Sequence, residues 1–164
     1  MSKMFYNLRS TLLQAKYVFK GVNFTNSIIP NDIFEGCSVL NNISGFFSNT
    51  TLTNNNITYV FPDPILFRDC TSLKDVSYLF DNSYNLNIQL RGSGFINCNL
   101  TNVTGMLYNS GVFGTIPYKL FYMERNGNIQ HTIEDIGSVF AGCYKLGYTK
   151  DRSLNIGTPY VYNK

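Results

Sequence analysis

LNNISGFF, residues 40–47, returns without gaps as LKDVSYLF at 73–80, LTNVTGML at 100–107 and IEDIGSVF at 133–140. The shared phrase reads apolar, any residue, Asn or Asp, Val or Ile, small, any residue, apolar, Phe or Leu. A weaker copy, LLQAKYVF at 12–19, has Gln14 in the Asx column and Ala15 in the branched one. The last column sets five anchors, Phe19, Phe47, Phe80, Leu107 and Phe140, separated by 28, 33, 27 and 33 residues. Successive gaps pair to 61 and then 60 residues, which predicts units organised in twos, with a longer loop on every second one.

A second phrase precedes the anchors. IFEGCSVL (33–40), LFRDCTSL (66–73) and GFINCNL (94–100) each bring Phe, Cys and Leu together, and FDNSYNL and FAGCYKL place Ser83 and Cys143 three residues after an anchor. Ile29-Pro30, Phe61-Pro62 and Ile116-Pro117 mark turns, because proline fixes the chain direction. The insertion MERNGNIQH (123–131) interrupts the pattern and is expected as a loop on one edge.

A unit of this kind cannot bury its apolar positions alone, so units must cover one another. The expected fold is a repeat solenoid of leucine-rich type, about five coils of 27–33 residues over residues 1–147, followed by a tail from 148 to 164. Its elements are expected to be mainly short β-strands with turns and short helical segments. Equivalent positions then form ladders: Phe34, Phe67, Phe95 and Phe121 in one, Cys37, Cys70 and Cys98 in another. Leu40, Leu73, Leu100 and Ile133 lie beside them. The column Asn42, Asp75, Asn102, Asp135 is read as side chains that satisfy turn backbone groups in every coil, in preference to a calcium site. Stacked thiols would stand roughly 5 Å apart with parallel side chains, so free thiols are expected rather than disulfides.

Composition agrees with this reading. The 164 residues are 44% hydrophobic and only 14% charged, with 21 Asn, two Ala, three Glu and no Trp; ordinary domains carry about 25% charge. Good helix formers are nearly missing, which argues against a helical bundle and against helical repeats. A net charge of +3 from scattered Lys and Arg makes no basic stripe, so nucleic acid is not an expected partner. The opening MSKMFYNLRSTLLQAKYVF lacks the apolar run of a signal peptide, and no stretch reaches the roughly 18 apolar residues of a membrane helix. Membrane insertion is not expected. N-x-S/T triplets at Asn23, Asn42, Asn49, Asn56, Asn99 and Asn102 follow from the Asn, Ser and Thr content and prove no secretory route.

The phrases Asn102-Val103-Thr104-Gly105-Met106-Leu107, Phe140-Ala141-Gly142-Cys143-Tyr144-Lys145-Leu146 and Leu66-Phe67-Arg68-Asp69-Cys70-Thr71-Ser72-Leu73 resemble those of the BspA-like leucine-rich repeat proteins and the related mycoplasma-type surface-protein repeats. The resemblance spans residues 4 to 147. It implies a non-enzymatic leucine-rich solenoid used for adhesion or partner binding on bacterial, protozoan or phage surfaces, and no particular ligand. The unit here is longer than the usual 20 to 29 residues, and no caps are recognisable.

Chemistry-bearing motifs are missing: there is no phosphate loop, dinucleotide fingerprint or zinc spacing, and the sole histidine, His131, lies in the insertion near Glu124, Glu134 and Asp135. No catalytic residue, metal or cofactor is assigned. Twelve Tyr among Asn, Ser and Gly match the vocabulary of binding loops. Tyr84 and Tyr144 hold equivalent places, with Tyr108 near the same place between them, as a candidate stripe for protein or glycan. The expected function is surface recognition within a larger, cell-surface or extracellular chain, with self-association or flanking domains at uncapped ends. The alternative is a phage virion structural, decoration or fibre protein, and an enzyme is a distant third.

Overall fold

The computed structural model describes residues 4–24, 32–52, 57–63 and 65–147. The Ile29-Pro30 turn, Asn56 and the tail from 148 to 164 lie outside the described residues. The chain forms short strands in mostly parallel pairing, with almost no helix.

Backbone hydrogen bonds align the repeated phrases. Parallel bridges join Gln14 to Asn42, Asn42 to Asp75, Asp75 to Asn102 and Asn102 to Asp135, so the five segments lie side by side at one register. Four alternate N–H groups of each segment donate to the next. Those of Ile43, Gly45, Phe47 and Asn49 reach the carbonyls of Asp75, Ser77, Leu79 and Asp81 at 2.7 to 2.9 Å. Equivalent quartets start from Ala15, from Val76 and from Val103. Between these donors the chain closes on itself, as where the Phe46 and Met106 N–H groups bond the Ile43 and Val103 carbonyls, both at 3.1 Å.

Such turns do not grow into the short helical segments expected from the sequence. Among the described residues the one helix is the 3-10 turn Tyr6–Leu8. Every segment instead carries two left-handed residues. Tyr17, Gly45, Tyr78, Gly105 and Ser138 have φ of 53° to 63°, and Gly21, Asn49, Asn82, Asn109 and Gly142 follow four residues later with φ of 52° to 75°. A right-handed helix cannot pass through positive φ.

A second parallel set follows the anchors. Strand β1 (Asn23–Phe24) pairs with β2 (Thr51–Leu52). Strands β3 (Thr58–Phe61), β4 (Asn87–Leu90) and β5 (Val112–Gly114) pair in that order, and the last strand, β8 (Lys145–Leu146), adds to β5. The Phe61-Pro62 peptide at the end of β3 is cis. The insertion expected as a loop is an antiparallel hairpin, β6 (Met123–Arg125) with β7 (Asn128–Gln130). Asn126 and Gly127, at φ 51° and 76°, supply the two positive-φ positions that a type I′ turn needs, which is why Asn-Gly favours hairpins.

The core runs between the two ladders. Phe34, Phe67, Phe95 and Phe121 stack ring on ring at centroid distances of 5.9, 5.0 and 6.2 Å, and Phe5, unassigned by the sequence phrases, extends the column at 5.6 Å from Phe34. The anchors Phe19, Phe47 and Phe80 stack at 5.8 and 5.1 Å. Beside them, buried small donors close off the anchor carbonyls of the preceding segment: Thr50 Oγ1 to Phe19 O at 3.2 Å, Ser83 Oγ to Phe47 O at 2.8 Å, and Cys143 Sγ to Leu107 O at 2.9 Å. Ser, Thr and Cys interchange at this place because each is small and carries a donor, and a buried carbonyl left unpaired costs about 1–3 kcal/mol.

Candidate functional site

The Asx column forms the polar spine of the molecule. Oδ1 of Asn42, Asp75 and Asn102 accepts the N–H two residues on, from Ser44, Ser77 and Thr104, each at 2.9 Å, and Asp135 accepts that of Gly137 at 3.1 Å. Across segments, Asn42 Nδ2 donates to Asp75 Oδ2 at 2.9 Å. Neutral and charged members alternate along this column, so no two carboxylates are adjacent in the ladder. Among the described residues no group of three or more His, Cys, Asp or Glu is placed to hold a metal. Asn42 spends both ends of its amide inside the fold, which makes its N-x-S triplet part of the ladder. A surface cavity of about 650 Å³ opens beside the spine, lined by Leu13, Asn42, Lys74, Asp75 and Asn99 among others.

Cys37, Cys70, Cys98 and Cys143 are free and buried. The Cys70 thiol donates to Phe34 O at 3.0 Å. Burial pushes the Cys70 thiol up, with the neighbouring Cys98 and Cys37 adding to it, and burial alone does the same for Cys98. Thiols that stay protonated when folded but ionise when unfolded contribute stability that is complete below the unfolded pKa, near 9, and is lost as pH rises beyond it. The melting temperature is therefore expected to hold level from pH 6 to 8 and to fall above pH 9. Each retained proton is worth at most about 1.4 kcal/mol per pH unit. A melting series in which Cys70→Ser leaves the alkaline slope as steep as in the parent would contradict this assignment.

Tyr84, Tyr108 and Tyr144 are all exposed, at 48%, 40% and 48%. They do not share one register. Tyr84 and Tyr144 each follow their anchor by four residues, but the matching residue between them is Gly111, where a side chain would run into the backbone carbonyls of Leu86 and Tyr84. Tyr108 lies three residues earlier, in the column of Asp81 and Ala141. Close backbone packing at Gly111 leaves no room for an aromatic side chain in that register, so the segment between them carries its tyrosine, Tyr108, at a different offset. Lys145 stands 5.7 Å from the Tyr144 ring and donates to Asn87 Oδ1 at 3.2 Å.

A second pair of exposed tyrosines was missed. Tyr17 and Tyr78 occupy the left-handed column that alternates Tyr, Gly, Tyr, Gly, Ser, and each ring covers the glycine of the following segment, Gly45 or Gly105. The signal was present in the aligned phrases, in a column read as unrestricted. His131 is exposed just after β7. Glu124 accepts the Tyr122 hydroxyl at 2.7 Å, which raises the Tyr122 pKa. The described residues bring no nucleophile, base and orienting group together at hydrogen-bond distance around His131.

No family model matches the chain, and no curated protein or solved structure matches it.

Proposed function

We propose that the chain is a non-catalytic recognition module, a leucine-rich-repeat-like solenoid of the BspA-like type, that binds a protein or a glycan through its neutral, Tyr- and Asn-rich surface. The observation that carries this reading is the exposure of Tyr84, Tyr108 and Tyr144 on a backbone held in register by repeated hydrogen bonds. Tyrosine offers rigid contact area at low entropic cost, and the surrounding Asn and Ser offer hydrogen bonds. Recognition by shape and stacking suits a surface with so few charges. Such a module belongs on a cell surface or outside the cell, as part of a larger chain.

The test is an array of immobilised oligosaccharides and purified extracellular-matrix proteins, probed with the parent and with the triple variant Tyr84→Ala, Tyr108→Ala, Tyr144→Ala. Loss of about 10- to 100-fold in affinity for whatever the parent captures is expected, with an unfolding midpoint close to the parent's because exposed substitutions cost little. Undiminished capture by the folded triple variant would remove the tyrosines from the site.

A second reading, a virion structural, decoration or fibre protein, is favoured by the four buried free thiols, which suit a chain that folds in a reducing cytoplasm. The native protein's intact mass in purified particles separates the two readings.

A further inference from the structure

The hydrogen-bond quartets have a direction. Each segment donates N–H groups to the segment after it and offers carbonyls to the one before. At the last segment the corresponding donors are the N–H groups of Ile136, Ser138, Phe140 and Gly142, and none has a partner among the described residues. At the first, the corresponding acceptors are the carbonyls of Gln14, Lys16, Val18 and Lys20, likewise unpartnered among the described residues. One end is a row of donors and the other is a row of acceptors at the same two-residue spacing.

At each end one core column is left uncovered, although Ala15 and Val139 stay buried. The branched column is 0% exposed at Ile43, Val76 and Val103 but 60% exposed at Ile136, and the column that is 0–1% exposed at Phe46, Leu79 and Met106 is 44% exposed at Val18. Charge is complementary too. Residues 4–24 carry Arg9, Lys16 and Lys20 and no acid, while Glu134 and Asp135 are exposed on the last segment. Continuing the Asx column from Asp135 to Gln14 keeps carboxylates apart, and continuing the anchor column brings Phe140 against Phe19. The second ladder follows suit, since among the described residues β8 pairs only with β5 and β1 only with β2.

We infer that the donor edge at Ile136–Gly142 docks onto the acceptor edge at Gln14–Lys20 of a second copy of this chain, so that copies add head to tail. A contact between two different patches is heterologous and adds copies head to tail, into an open filament or, where the rotation per copy closes, a ring. Each added copy of five rungs would lengthen the particle by roughly 24 Å, at roughly 4.8 Å per rung.

Two variants at exposed positions each spoil one edge in this register: Val18→Glu presses a carboxylate against Val139 and Phe140 of the other copy, and Ile136→Lys presses a base against Ala15 beside Lys16. In sedimentation velocity the parent is expected to grow with concentration, each variant alone to stay monomeric, and an equimolar mixture to form a one-to-one dimer and nothing larger. A parent that stays monomeric at every concentration, variants that still self-associate, or a mixture that stays monomeric would overturn the inference. Amide exchange in the parent gives a readout that needs no variant. The N–H groups of Ile136, Ser138, Phe140 and Gly142 should exchange about a hundredfold more slowly in the associated than in the dilute protein. Protection already complete in dilute monomer would mean that the chain's own residues cover the edge, and would also overturn it.

Discussion

Phe67→Ala is expected to destabilise the protein by about 3–5 kcal/mol, read as a shift in the denaturant midpoint with an unchanged slope. Phe67 is 1% exposed and sits mid-column, 5.9 Å from Phe34, 5.0 Å from Phe95 and 6.2 Å, edge-on, from Phe61. Removing it takes the ring from water-free packing and leaves a void that its neighbours cannot fill, because their backbones are held by ladder hydrogen bonds. Phe5, at the end of the same column and only partly buried, should cost clearly less when changed to Ala. Equal losses at the two positions would show that the column does not act as a continuous core.

That column was partly legible before the fold was known. The phrases around Phe34, Phe67 and Phe95 align by eye, since Phe, Cys and Leu recur at fixed spacing. Phe5 does not, because the first segment has no Cys three residues later, and it is placed only by the ring that it meets. The Asx column was legible for the same reason as the Phe column: one side-chain chemistry serves one backbone need in each segment. The hairpin was present as Asn126-Gly127 but was outweighed by the reading of an insertion as a loop. Tyr108 shares its residue type but not its offset from the anchor with Tyr84 and Tyr144, and the offset is what the ladder preserves. Left-handed backbone at Tyr17, Tyr78 and Ser138 leaves little mark in residue type, so a column containing Tyr, Gly and Ser passes for an unrestricted one.

Gly105→Val is expected to cost about 2–5 kcal/mol, and the loss should depend on Tyr78. Two effects add. At φ 57° a β-branched side chain is strained, with about 1–2 kcal/mol from the left-handed backbone alone. In addition, a Cβ at Gly105 would stand 2.6 Å from the Tyr78 ring, and forcing a packed group aside costs roughly 1–3 kcal/mol. Tyr78→Ser removes the second effect and leaves the first, since Ser138 already occupies this column at φ 56°. Thermal or denaturant unfolding of the parent, the two single variants and the double variant should therefore give a favourable coupling of about 1–3 kcal/mol. Additive losses would mean that the tyrosine lies on the glycine without pressing on it. A measured coupling would give the paired spacing of the sequence a physical cause: a tyrosine on one segment requires a small residue on the next, so the repeat that the chain must keep is two segments long.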